Sequence, residues 1–282
     1  MALPIDKLGT RYAPVTTVID PDRAKAYAAA TNDPNPAYTS GKYAPPVFGV
    51  VPTWGQMLAA SADVIPPEAL LFIVHGEQDM HFHQPLVPGA VLTTAAEAYA
   101  IRVGSSGSRL VVKVESVDEA GALVLTQYVT IFVRGMADGE SGGPDKPVHD
   151  FPDTARSKKV GEHTVHVDDD QTFRYRDASG DEMPIHLDDA VAKSVGLPGI
   201  IAHGLCTMAM CSQAVIAIAS DGDPGRLKRL AVRFASNVFP GNDVDVEVFD
   251  AGTTDAGLRA YAFEATSAGA VVVKNGWAEV EA

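Results

Sequence analysis

Apolar and polar positions along the chain change their period in a repeated order. Val18 to Tyr38 ("VIDPDRAKAYAAATNDPNPAY") and His166 to His186 ("HVDDDQTFRYRDASGDEMPIH") each predict a short amphipathic helix ending near a polar turn. A second, apolar helix follows in each case. The stretch "IIAHGLCTMAMCSQAVIAIAS" is apolar almost all round for about 20 residues, near the length of a membrane span. It carries His203, Ser212 and Gln213 and has no flanking basic clusters, so it reads as a helix surrounded by protein. Period-two alternation then takes over. Arg109 to Gly135 predicts a hairpin turned at "DEAG", and Asp243 to Glu281 predicts three strands with Gly-rich turns. A long antiparallel meander with one buried helix is an α+β plan, with that helix across the concave face of the sheet.

The two helix-and-turn stretches align without a gap. Asp20 falls on Asp168, Tyr27 on Tyr175, Asp33 on Asp181, Pro36 on Pro184 and Tyr38 on His186. Phe82 to Glu97 likewise parallels Phe234 to Phe249. The chain therefore contains two copies of roughly 140 residues. "MADGESGGPDKPVHDFPD" between them has a linker's composition. The expected domains are 1–145 and 146–282.

At 282 residues, with 46% hydrophobic and 21% charged positions, the chain can bury a sizeable core. Its net charge of −14 argues against nucleic acid or an anionic membrane as partner. A small polyanion needs only a local basic patch, and "RLKRLAVR" (Arg226 to Arg233) supplies one. Arg229 and Arg233 are thus candidates for the phosphates of a ligand; the plain alternative is a strand edge protected by charge. Cys206 and Cys211 lie on different faces of the apolar helix and read as core residues. The N-terminal stretch has no apolar signal region, so a cytoplasmic protein is expected.

Asp181 and His186 are five residues apart across a Pro-containing turn. Such a loop is either a cap and turn or an acid–base pair. His203 reads as a structural histidine bonding the backbone. No further ligand pattern accompanies His186 and His203, so no metal site is expected.

"YRDASGDEMPIH" (Tyr175 to His186), "GIIAHGLCTMAM" (Gly199 to Met210), "LKRLAVRFASNVFPGNDVDV" (Leu227 to Val246) and "HGEQDMHFHQPLVPG" (His75 to Gly89) together resemble the MaoC-like, R-specific enoyl-CoA hydratases of double hot-dog type. The resemblance implies two tandem repeats, each an antiparallel sheet wrapped around a helix. It implies reversible hydration of trans-2-enoyl-CoA to (R)-3-hydroxyacyl-CoA, with Asp181 and His186 acting on a water and the Gly204 backbone N–H as oxyanion donor. The substrate would be an acyl-CoA or acyl-carrier-protein thioester, with no other cofactor. The family's motif has asparagine where this chain has Met183, a substrate-positioning place, and His203 and Met183 join Arg229 and Arg233 as substrate-binding candidates. The N-terminal copy has Tyr38 in place of the histidine and resembles the non-catalytic half that shapes the acyl-chain pocket. Asp33, Asn35 and Tyr38 then read as relics holding a turn, and Ala59, Ala60 and Ala62 as small residues leaving room for the chain. Hot-dog folds also host acyl-CoA thioesterases, and a non-catalytic acyl-binding subunit is the third reading. A homodimer is compatible with all three.

Overall fold

A computed structural model describes residues 2–282. Ten strands form one antiparallel sheet in the order β1-β3-β4-β5-β2-β7-β10-β9-β8-β6. The N-terminal half supplies β1 (Val15–Val18), β2 (Ile73–Phe82), β3 (Val91–Gly104), β4 (Gly107–Val117) and β5 (Leu123–Arg134). The C-terminal half supplies β6 (Lys159–His166), β7 (Leu227–Phe234), β8 (Asp243–Thr253), β9 (Arg259–Ser267) and β10 (Ala270–Val280). The order reads the same from either end when each N-terminal strand is exchanged for its C-terminal counterpart. This is the double hot-dog arrangement. The two halves join where β2 pairs antiparallel with β7, Glu77 opposite Arg233 and His81 opposite Arg229.

The predicted hairpin is β4–β5, turned by Asp118, whose carboxylate accepts the Ala120 and Ala122 N–H groups. The predicted three-strand run is β8–β9–β10. The segment 135–158, which contains the expected boundary at 145, connects β5 to β6. It is strapped down by Arg102, which donates to the Gly142 and Pro144 carbonyls, and by His149 against the Asn275 carbonyl.

The duplicated helices are α1 (Pro21–Ala30) and α4 (Gln171–Ser179), and they pack on each other. Positions related by the repeat make equivalent bonds across the pair. The Tyr27 and Tyr175 hydroxyls meet at 3.1 Å. Arg23 donates to the Ala178 carbonyl at 2.7 Å, and its repeat counterpart Gln171 donates to the Ala30 carbonyl. Asn32 and Gly180, again counterparts, follow the two helices with φ of 54° and 80°. Asn and Gly are the residues that tolerate this left-handed conformation.

The apolar segment is α6 (Gly204–Ala219), buried along most of its length against β6, β7, β8 and β10. No helix of the described residues is long and apolar enough to cross a membrane. Cys206 and Cys211 are free and buried in the core. In the N-terminal half α3 (Trp54–Val64) covers β3 and β4. It is amphipathic: Ala60 is buried, but Ala59 and Ala62 are exposed. The expectation that these alanines leave room for an acyl chain is therefore corrected: Ala59 and Ala62 face outward, and Ala60 is packed into the core between α3 and the sheet.

Candidate active site

The loop after α4 is built by its own turn chemistry. Gly180 ends the helix in a left-handed conformation, its N–H on the Arg176 carbonyl at 2.7 Å. The Asp181 N–H donates to Ser179 Oγ, and Asp181 Oδ1 in turn accepts the Met183 N–H at 3.1 Å. Pro184 then opens a single 3-10 turn, Pro184–His186, ahead of α5 (Asp189–Ser194). This turn brings His186 inward while Met183 stays 45% exposed.

His186 is fixed by one bond whose direction is forced. The Ile201 carbonyl only accepts, so Nδ1 carries the proton and donates to it at 2.8 Å. Nε2 is left with its lone pair. The His186 ring stacks on His203 at 3.9 Å between centroids, and His203 Nε2 donates to the Asp181 carbonyl at 3.2 Å. His203 thus buttresses both the base loop and the ring, the structural role expected of it. Ligand atoms of Asp181, His186 and His203 lie within 4.8 Å of one another. His186 Nδ1 is committed to the Ile201 carbonyl and His203 Nε2 to the Asp181 carbonyl, so each ring has one nitrogen left to offer. The set suits a water held between carboxylate and imidazole.

Burial and mutual charge tune the pair. Burial raises the Asp181 carboxyl above its ordinary value, against the opposing Met183 N–H and His186. Burial lowers the His186 imidazole, against the Ile201 carbonyl and Asp181. His203 is pushed down to about 3 by burial and then by His186. At neutral pH both rings are uncharged.

His203 is also the N-cap of α6. The first intrahelical bond runs from the Thr207 N–H to the His203 carbonyl, so the amides of Gly204, Leu205 and Cys206 have no helical acceptor. They and the positive end of the helix dipole lie beside the stacked rings. A Cβ at Gly204 would stand 3.4 Å from the Phe234 ring, so glycine keeps a narrow approach open.

The basic run lies elsewhere. β7 is an interior strand paired on both sides, not an edge. Arg229 is 8% exposed and holds Asp79 of the other half through two bonds of 3.0 and 2.8 Å, with Glu279 at 3.2 Å. Burial alone would raise Asp79, but His81 and Arg229 hold it well below the usual carboxylate range. Nη2 also donates to the Val148 carbonyl at 3.1 Å, so four of the five N–H donors are committed inside a buried cluster, and the substrate-binding expectation for Arg229 is corrected to a role in joining the repeats. Arg233 lies 3.7 Å from Glu77. Its side chain is 40% exposed, and alternation along β7 puts it on the face opposite Phe234, away from Gly204.

A profile for the MaoC-like domain matches residues 151–268, and one for the FAS1-like dehydratase domain region matches residues 6–127. The chain is similar to the Mycobacterium tuberculosis 3-hydroxyacyl-thioester dehydratase Y, with 30% identity over 72% of this chain and 70% of that protein. The chain belongs to the MaoC-like dehydratase family. It is also 32% identical to the Drosophila melanogaster peroxisomal multifunctional enzyme type 2 over 74% of this chain, but spans only 36% of that longer protein. Among family structures, a MaoC-like dehydratase from Phytophthora capsici superposes with a TM-score of 0.88 at 24% identity, over 98% of this chain and 97% of that one. At that identity the likeness concerns the fold.

Sequence reasoning placed Asp181, His186, His203 and Gly204, and the structure brings all four to the N-terminal end of α6. It missed Ile201, whose carbonyl selects the His186 tautomer, and Phe234. A backbone acceptor leaves no mark in a side-chain pattern. Phe234 was visible only as the counterpart of Phe82.

Proposed function

We propose that the chain reversibly hydrates trans-2-enoyl-CoA to (R)-3-hydroxyacyl-CoA. One observation carries this reading: a neutral imidazole with Nδ1–H tied to Ile201 presents its free Nε2, beside the Asp181 carboxyl, at the unsatisfied amide end of α6.

In the hydration direction a water lies between Asp181 and His186. His186 Nε2 takes a proton as the oxygen bonds to Cβ, and electron density moves through the double bond to the thioester oxygen. The Gly204 N–H donates to the oxygen that carries the developing charge; such a preorganised donor is commonly worth about 3–4 kcal/mol. The pair returns one proton to Cα, so both groups end as they began. No metal or redox group takes part, and the coenzyme A or phosphopantetheine arm belongs to the substrate. The N-terminal half serves as the wall of the acyl-chain pocket. The R configuration rests on the family, and the cytoplasm stands as the proposed location.

The test follows loss of enoyl-thioester absorbance with crotonyl-CoA, beside the His186→Ala variant and a free-thiol assay. Hydration abolished by the substitution, without thiol release, supports the reading. Thiol release by the wild type replaces it with a thioesterase. Binding without turnover replaces it with an acyl-binding subunit.

A further inference from the structure

The "HGEQ" stretch of β2 has no part in the chemistry above, yet it reaches the site. The His75 ring stands edge-on to the Phe234 ring, 5.2 Å between centroids at 70°. Phe234 is the ring that borders Gly204. His75 belongs to the N-terminal repeat and Phe234 to the C-terminal one, so the contact crosses the seam between halves.

His75 is held by a buried chain of side chains whose direction is fixed from its far end. The Thr53 hydroxyl donates to the Gly49 and Val50 carbonyls, so Thr53 Oγ1 accepts Gln127 Nε2 at 2.9 Å. Gln127 Oε1 accepts Gln78 Nε2 at 2.9 Å, and Gln78 Oε1 accepts His75 Nε2–H at 3.1 Å. Thr53, Gln78 and Gln127 are almost wholly buried. Residues three apart on a strand ordinarily face opposite sides. The register shift between His75 and Glu77 is what turns His75 and Gln78 to the same side. A bulge and three buried amides and hydroxyls are an expensive way to place a ring that only fills space, because each buried polar group must be matched. Packing also pushes His75 down to about 4, so it stays uncharged.

We propose that His75 is a positioning residue of the hydratase site: fixed by the Gln78–Gln127–Thr53 chain, it holds the Phe234 ring against Gly204. It thereby sets the angle at which the α6 amide meets the thioester oxygen. This deepens the hydratase reading and rests on it. The N-terminal repeat then contributes to transition-state stabilisation although its own motif lacks the histidine.

The experiment has two arms, each run on His75→Ala, Phe234→Leu, the double variant, His75→Phe and His75→Asn, with thermal melts confirming folding. In the first, crotonyl-CoA kinetics should show kcat reduced about 10- to 100-fold in His75→Ala with KM little changed, the scale of a small misplacement. The double variant should be no worse than Phe234→Leu, since His75 acts through that ring. His75→Phe, which keeps a ring edge, should recover turnover although it leaves Gln78 unmatched and melts earlier. His75→Asn, which keeps a donor but no ring, should not. Additive losses in the double variant, or rescue by Asn instead of Phe, overturn the proposal.

The second arm reads the carbonyl stretch of bound butyryl-CoA by infrared difference. This ligand has no double bond to hydrate, so the arm stands even where the hydratase reading fails. Wild type should lower the frequency relative to free ligand and His75→Ala should restore most of it. No lowering in wild type, or an unchanged lowering in His75→Ala, also overturns the proposal.

Discussion

The Asp181–His186 loop and the Asp33–Tyr38 loop are the same design carried 148 positions apart, and only the first has the histidine on which the proposed function rests. Each aspartate accepts the N–H two residues on, at 3.1 Å for Met183 and 3.0 Å for Asn35. Burial raises both carboxyls. The difference lies in what surrounds them. Both loops pack on the one buried helix, but at opposite ends. Asp181 and His186 meet the amides that open α6. The Asp33 loop meets its other end: Gln213 donates to the Asn32 carbonyl and Asn35 to the Gly222 carbonyl. That end presents carbonyls and the negative pole, which repel an oxyanion. Tyr38 is buried, its hydroxyl bare of partners and held well above its ordinary value by burial and then by Asp33 and Asp223. A carboxylate in a desolvated turn is therefore scaffold. In the proposed reaction the chemistry comes from a free imidazole lone pair and the correct pole of the helix.

The strongest way to break this comparison is to neutralise both aspartates. Asp181→Asn should lower kcat by about 10²- to 10⁴-fold, the usual weight of a positioned acid–base group. Asp33→Asn should leave turnover near wild type. Adding Tyr38→His to a His186→Ala chain, which rebuilds an Asp, Asn and His set in the N-terminal loop, should restore nothing, because no oxyanion donor faces it. Initial rates on crotonyl-CoA decide all three. Recovery in that last chain would show that the helix pole does not matter.

What the sequence made legible follows from the same comparison. The duplication was readable because counterpart residues are local and similar in kind: Tyr27 and Tyr175 do touch across the pseudo-twofold, and Asn32 and Gly180 are both left-handed. The motif loop and the buried helix were readable because each is one continuous stretch. Arg229 was misread because its carboxylate partner, Asp79, comes from a strand about half the chain away. The His75 chain was unreadable for a related reason. It needs a bulge, the β2–β5 pairing and the 3-10 helix that ends at Thr53 to gather Thr53, Gln78 and Gln127.

A pH profile sharpens the contrast with a smaller effect. His186 must be neutral to accept a proton, and its pKa is lowered from the ordinary 6.5. Protonation therefore sets in only at more acidic pH. The plateau of kcat/KM should extend below pH 6.5 before activity falls as the pair takes up protons. The Tyr38 hydroxyl, raised well above 10, stays protonated throughout, so Tyr38→Phe should give a superimposable profile near neutrality. An acid limb centred above 6.5 would contradict the lowered imidazole.

The smallest effect belongs to the one position where the inactive loop is better built. Asn35 caps its helix, α2 (Pro36–Thr39), by accepting the Ala37 N–H at 3.0 Å while donating to Gly222. Its counterpart Met183 offers no side-chain cap, and the turn that follows is a single 3-10 turn in place of an α-helical one. Met183→Asn should therefore supply the missing acceptor and stabilise the chain by about 1 kcal/mol, the typical value of such a cap. Thermal melts of Met183→Asn and of Asn35→Met measure the two sides, with the second expected to lose about the same amount. Turnover should change less than in any substitution above, because the Met183 backbone N–H already holds Asp181 Oδ1. A large gain in kcat from Met183→Asn would show that the amide does more than cap the turn. The side chain at 183 would then belong with Asp181 and His186 in gripping the substrate, and the two loops would differ by two functional positions instead of one.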